Sequence, residues 1–237
     1  MKMKDMNINI TTNGVAEFYM LESEEQFIYD MSMFANLYVE NYKKVTALDE
    51  KYVNTYKVAR SCVSWNDAFC DMYNVTQFPS NMWNYTNMKF ADSIFAECRS
   101  MVECPIDMSN TKAEILYDAF YNCINMINPP SLPKTAFNLK ACFSGCSNMI
   151  KAVEIPERAK NCREMFLGCE KIMEAPVMPS SVINAKEMFH YCTNLRGEIY
   201  VYARNLTNLY KFVGNEEYSK TIYCYDNSNT MNNMKKI

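Results

Sequence analysis

The sequence predicts an α/β solenoid, because one phenylalanine recurs at a nearly fixed interval through most of the 237 residues. The intervals are 26, 25, 23, 23, 23 and 23 residues, which join Phe69, Phe95, Phe120, Phe143, Phe166, Phe189 and Phe212. Two more positions keep this register: a cysteine three residues after five of the phenylalanines, and an apolar residue three residues later. Such a period is typical of solenoids, whose units bury their apolar faces only by stacking on one another.

The period of 23 residues is too short for two helices and predicts one extended segment and one helical turn in each unit. The extended segment carries a proline ten residues after the phenylalanine, as at Pro105, Pro130 and Pro176. Each proline fixes its own φ and pushes its predecessor out of the helical region, so we expect short or edge-like strands. The segment before each phenylalanine, such as 184–189, starts with a helix-capping Asn and is predicted to be a single helical turn.

Five of the eleven cysteines share one position in the unit: Cys98, Cys123, Cys146, Cys169 and Cys192. Because free cysteine is among the most buried residue types, these side chains are predicted to be small hydrophobes inside the solenoid. No Cys-x-x-Cys pair occurs, so no zinc site is expected. We predict no other metal and no cofactor. Cysteines kept as thiols favour folding in a reducing cytosol.

The units around Cys142-Phe143-Ser144-Gly145-Cys146 and Met165-Phe166-Leu167-Gly168-Cys169, with Ala175-Pro176-Val177-Met178-Pro179 downstream, resemble a known family. They are similar to the BspA-like leucine-rich repeat, in the variant Met-Phe-x-Gly-Cys-x-x-Leu-x-x-Ala-Pro-x-Leu-Pro. The resemblance implies a leucine-rich-repeat solenoid of about seven repeats of 23–26 residues. It also implies adhesion or protein recognition on a bacterial, protist or bacteriophage surface.

Three regions are predicted. Residues 1–63 form an N-terminal segment with a strand and turn at 6–14, followed by an amphipathic helix at 24–42, where apolar residues recur at helical spacing. This segment either caps the open edge of the solenoid or docks it to a larger assembly. Residues 64–218 form the solenoid. Residues 219–237 form a closing strand and an Asn-rich tail.

Charge and composition weigh against several function classes. The net charge of −3 and the lack of a Lys/Arg cluster give no sign of nucleic-acid binding. The sequence contains no run of about 18 apolar residues, so no membrane insertion is expected. The N-terminus lacks the apolar core of a secretory signal. The single histidine, His190, has no catalytic partner fixed by spacing, so we predict no enzyme. A hydrolase of surface polymers is the alternative from another class, and it would need paired carboxylates in a cleft.

The predicted binding face is counted from the apolar residue that lies six positions after each recurring phenylalanine. It consists of the residues two and five positions after that apolar residue. Repetition puts each set in a line along the solenoid, where such proteins usually present extended binding surfaces. The alternative is a solvated face without a partner. The candidates are Gln77, Glu103, Asn128, Lys151 and Glu174 in the first line, and Glu154, Val177 and Tyr200 in the second.

The sequence predicts a protein or a cell-surface glycan as the ligand of this face. The favoured setting is a bacteriophage virion, in which the chain folds in the host cytoplasm and contacts other virion proteins. The alternative setting is a bacterial or protist adhesin at the cell surface.

Overall fold

The computed structural model describes residues 63–76, 85–203, 205–208 and 210–213, together with the backbone of short strands nearer the two termini. The strands are β1 (Met6–Ile10), β2 (Val15–Met20), β3 (Phe27–Ile28), β4 (Ala47–Leu48), β5 (Lys57–Val58), β6 (Glu198–Val201), β7 (Thr221–Tyr225) and β8 (Met234–Lys236). Two 3₁₀ turns, Tyr85–Asn87 and Met108–Asn110, are the helical segments of these described parts.

The interior of the solenoid is built around the recurring phenylalanines, so the predicted fold class is confirmed. Neighbouring rings from Phe69 to Phe189 have centroids 5.0–5.9 Å apart and planes within 3–13° of parallel. All six of these rings are at most 1% exposed. Beside them lie the ladder cysteines and the apolar position three residues further on, also buried. The stack forms one continuous core through the units.

Backbone hydrogen bonds join each unit to the next at alternate residues around the phenylalanine. Phe143 N donates to Met165 O at 2.9 Å and Gly145 N donates to Leu167 O at 2.7 Å, and the other middle units repeat the pattern. The residues two before and two after each ladder phenylalanine have positive φ, for example 56° at Glu187. In a helix, the backbone N–H groups that here donate to the next unit would donate to carbonyls of the same segment. The predicted helical turn at 184–189 is therefore wrong; this segment is a chain of turns.

The asparagine predicted to cap that helical turn instead closes a turn. The side-chain oxygens of Asn138, Asn161, Asn184 and Asn208 each accept the backbone N–H two residues further on, at 3.0–3.3 Å. The same four residues pair in sequence through parallel bridges between units. Asn161 Nδ2 also donates to Asn138 Oδ1 at 3.2 Å. Asparagine was predicted here because its side chain can accept a backbone N–H at the start of a helix, and in the structure it accepts one in a turn.

The last unit is one residue out of step with the sequence period. Phe189 pairs with Val213 and Asn184 pairs with Asn208, so the structural interval is 24 residues and not 23. Phe212 therefore lies one position before the ladder, where the other units place residues such as Met188. Its ring meets Phe189 edge-on at 80° instead of stacking. The prediction that Phe212 is the seventh ladder ring is wrong, because an additional residue shifts the backbone register.

The ladder cysteines have a role that the sequence prediction missed. Each of the five Sγ atoms lies 3.0–3.1 Å from the carbonyl oxygen of the phenylalanine one unit earlier, as a donor. Their burial is confirmed. The nine cysteines among the residues with described side chains are all free thiols. The position therefore suits a small apolar group that also carries a weak hydrogen-bond donor.

The terminal strands form small sheets. Strands β1 and β2 pair antiparallel and β4 joins β2 in parallel, so a strand lies where the alternating stretch predicts one. Phe27–Ile28 is a strand, β3, paired in parallel with β5, so the helix predicted over 24–42 is wrong at these two residues, whose aromatic and β-branched side chains favour a strand. The rest of that helix lies outside the described residues. Strand β7 pairs with β6, and β8 adds a strand within the predicted tail.

Candidate functional site

The predicted binding residues that the structure describes lie on the outside of the extended segments. Six of them are exposed, and Tyr200 is partly buried; they are Glu103, Asn128, Lys151, Glu174, Glu154 and Val177. Glu103 and Asn128 pair in a parallel bridge, and the Asn128 amide donates to the Glu103 carboxylate at 3.4 Å. Gln77 lies outside the described residues. The first two described members of the first line thus pair between neighbouring units, and we call Glu103, Asn128, Lys151 and Glu174 the polar column.

A second column, made of apolar residues, was missed by the sequence prediction. It lies seven residues after each ladder phenylalanine and one residue before the polar column. Four consecutive units place an exposed apolar side chain there: Val102 (47% exposed), Ile127 (40%), Ile150 (49%) and Met173 (58%). We call these four residues the apolar stripe. These residues come seven positions after each phenylalanine, so counting from the phenylalanine would have found them. The prediction counted instead from the apolar residue six positions after it, and took only the residues two and five positions further on.

Backbone hydrogen bonds join this position in neighbouring units at both ends of the apolar stripe. Ile127 N donates to Val102 O at 3.1 Å, and at the other end Arg196 N donates to Met173 O at 2.9 Å. The units outside the stripe carry Thr76 and Arg196 at this position. The stripe therefore has two polar ends and a length of four units.

The charges beside the apolar stripe follow a definite order. Along the chain the polar column reads Glu103, Asn128, Lys151 and Glu174, so its signs are negative, neutral, positive and negative. None of the three charged members forms a salt bridge with another residue of the described part of the chain. Their charges are available to a ligand.

An open depression of about 410 Å³ lies at the N-terminal end of this face. Its lining includes Glu103 and Asn128 of the polar column, with Pro105, Pro130 and Asp107. Asp107 accepts hydrogen bonds from Ser109 N, Ser109 Oγ and Asn110 Nδ2, and so caps the 3₁₀ turn at Met108–Asn110. Of the two carboxylates in the depression, Asp107 accepts three hydrogen bonds from the chain and Glu103 accepts one, from Asn128.

Another set of charged side chains contacts groups of the chain itself. Lys140 Nζ lies 4.4 Å from the centre of the Tyr117 ring, and Lys186 Nζ lies 5.3 Å from that of Tyr210. Between them, Arg163 forms a salt bridge of 2.6 Å with Glu164. The salt bridge offsets the charge of Arg163, and the ring contacts hold the two lysine ammonium groups against the chain.

Neither titratable groups nor metal ligands point to catalysis in the described residues. Burial lowers the pKa of His190, helped by Lys211, and its ring packs 3.8 Å from that of Tyr191. Burial also raises the pKa of Asp67, Asp92 and Asp118, which are distributed over three units. No group of three or more potential metal ligands occurs there.

Among the helical segments of the described chain, none has the length and apolar character needed to cross a membrane.

Comparison with known proteins identifies the family. The model of the BspA type Leucine rich repeat region matches in six copies, over residues 65–196 and 117–233. The chain belongs to this family of leucine-rich-repeat proteins. Among solved structures, it is similar to a leucine-rich repeat protein from Bacteroides ovatus ATCC 8483, with 12% identity, a TM-score of 0.41, and coverage of 95% of this chain and 76% of that one. No curated protein matches the sequence.

Proposed function

We propose that this chain is a non-enzymatic recognition module that binds a protein partner through the apolar stripe and the polar column beside it. The observation that carries the proposal is the unbroken line of four apolar side chains, each 40–58% exposed, in consecutive units. Contiguous exposed apolar surface marks interaction sites, whereas apolar residues scattered singly over a surface need no explanation. An apolar centre with a charged margin is also the usual anatomy of a protein interface.

A hydrolase is less well supported by the same face. Its depression brings two carboxylates together, Glu103 and Asp107, but Asp107 is committed to capping a 3₁₀ turn. General acid and base catalysis requires two carboxyl groups that can exchange protons with substrate and water. The family match is to a repeat used for binding and indicates no catalytic family.

The proposed setting is a bacteriophage virion, with a surface adhesin as the second candidate. The supporting observation is the set of nine free thiols, since proteins that fold in a reducing cytoplasm keep their cysteines unpaired. Mass spectrometry of purified virions tests the first setting, and protease shaving of intact cells tests the second. Recovery of the chain only from shaved cells would favour the adhesin.

A capture experiment tests the recognition function. The bait is the full chain, with one variant that combines Glu103→Ala, Lys151→Ala and Glu174→Ala, and a matched variant that combines Lys140→Ala, Lys160→Ala and Lys186→Ala. We expect the first variant to lose the captured protein and the second to keep it. Loss from the second variant alone would show that the chain binds through another side. Capture that is abolished by glycosidase treatment of the partner would identify a glycan as the ligand.

A further inference from the structure

The spacing of the units constrains what can lie along the apolar stripe. Neighbouring ladder rings are 5.0–5.9 Å apart, and the stripe contributes one side chain from each unit. The stripe is therefore a row of four apolar groups that repeats at about this distance. A partner that contacts all four must present its own apolar groups at a matching interval.

An α-helix has the matching interval and a β-strand does not. A helix advances about 5.4 Å per turn, so apolar residues at i, i+4, i+7 and i+11 recur once per turn along one side. A strand places side chains on one face about every 6.6 Å. Over the three intervals of the stripe, a strand drifts about 2–5 Å out of register, since each of its steps exceeds the spacing of the units by about 0.7–1.6 Å. A helix stays within about 1.5 Å of register along the whole stripe, because its pitch differs from that spacing by about 0.5 Å per turn at most.

The polar column adds a charge pattern to this geometry. It lies one residue from the stripe and carries Glu103, Lys151 and Glu174, none of them in a salt bridge with a described residue. A complementary helix places a basic residue at its first contacting turn, an acidic residue at the third and a basic residue at the fourth. The depression beside Glu103 has about 410 Å³ of space for the first of these basic side chains.

We infer that the apolar stripe is a docking site for an amphipathic α-helix of a protein partner, lying parallel to the solenoid axis with one apolar residue per turn on Val102, Ile127, Ile150 and Met173. For a helix of given charge pattern, the charge order of the polar column determines which way round it lies. Helices that lay an apolar face on a hydrophobic groove are a recurring mode of peptide recognition. This inference rests on the proposed recognition function and names the chemistry of the partner.

Two displayed peptide libraries of equal size test the inference, with the full chain as bait. One library fixes apolar residues at i, i+4, i+7 and i+11, and the other fixes them at alternate residues. We expect binders from the helical library, with helical circular dichroism in the complex. Their affinity should fall at least tenfold for an Ile127→Ser/Ile150→Ser variant and stay unchanged for Ile183→Ser. Ile183 is a matched control because it is 38% exposed and lies outside the stripe.

A charge exchange tests the contact between the helix and the polar column. Lys151→Glu should weaken binders that carry an acidic residue at the third turn, and a basic residue at that turn should restore them. Binders from the alternating library alone, no binders from either library, or helical binders insensitive to Ile127→Ser/Ile150→Ser would overturn the inference. If the natural partner nevertheless depends on Glu103, Lys151 and Glu174, the recognition function stands and only the helical partner is wrong.

Discussion

The interior stack of rings and the apolar stripe run through the same units only seven residues apart, yet the structure restricts them differently. Inside, the middle units all use phenylalanine, at most 1% exposed, and each ring stacks on the ring of the next unit in a close-packed core. Outside, the position holds valine, isoleucine, isoleucine and methionine, all 40–58% exposed. The interior thus repeats a shape, whereas the stripe repeats only apolar character. Burial explains why the interior position is phenylalanine in these units. It does not explain the exposed apolar residues of the stripe, for which we propose a function in binding.

The largest expected effect comes from breaking the interior stack. Phe166→Ala should lower the free energy of unfolding by about 3–5 kcal/mol, the usual cost of deleting a buried aromatic ring. Phe212→Ala should cost less, because its ring meets one neighbour edge-on and lies outside the stack. Denaturant unfolding of both variants measures the difference. Equal costs would contradict the shifted register of the last unit.

Two glycines at the same position of neighbouring units provide a smaller and sharper test. Gly145 and Gly168 have φ of 78° and 71°, a region where a side chain costs about 1–2 kcal/mol. A Cβ on Gly145 would also lie 2.0 Å from Asn122 Oδ1, whereas one on Gly168 would have only atoms at 3.9 Å nearby. Gly145→Ala should therefore cost about 2 kcal/mol and Gly168→Ala about 1 kcal/mol. Moving Asn122 aside requires breaking its hydrogen bond to Glu97.

A double-mutant cycle supplies the control for this pair. Combining Gly145→Ala with Asn122→Gly should remove the additional cost, because the clashing amide is gone. If Gly168→Ala proved as costly as Gly145→Ala, backbone strain alone would account for both glycines.

Buried thiols make stability depend on alkaline pH. Burial raises the pKa of Cys146 from 9.0 to about 12. Between these two values the Cys146 thiol keeps its proton in the folded state and loses it in the unfolded state. Its contribution to the free energy of unfolding is therefore fully present below pH 9 and is lost as the pH rises from 9 to about 12. One such thiol accounts for about 1 kcal/mol at pH 10.

Urea unfolding at pH 7 and pH 10 measures this loss. Cys146→Ala should reduce the difference between the two pH values by about 1 kcal/mol. An unchanged difference, or rapid labelling of Cys146 by a thiol reagent in the folded protein, would contradict its interior position.

The sequence predicted the period, the ladder and the buried cysteines because one-dimensional spacing carries that information directly. It did not predict the chain of turns at 184–189, since Asn184 caps a turn as readily as a helix, and positive φ at Glu187 depends on hydrogen bonds to the next unit. The register of Phe212 was wrong because pairing between Asn184 and Asn208 is a contact in space. Glu103 and Asn128 were placed on an exposed face, and whether they bind a ligand stays a prediction. Ile127 and Ile150 were missed because apolar residues in a repeat are ordinarily assigned to the core.

The measurement that tests the contrast between core and surface most directly is the unfolding free energy of the Ile127→Ser/Ile150→Ser variant. Surface substitutions usually change stability by about 0.5 kcal/mol each, so the pair should cost about 1 kcal/mol and leave the denaturant dependence of unfolding unchanged. That result would show that these apolar side chains are exposed without supporting the fold. A loss of about 3 kcal/mol or more, comparable to Phe166→Ala, would show that the stripe is part of the core and would contradict its assignment as a binding surface.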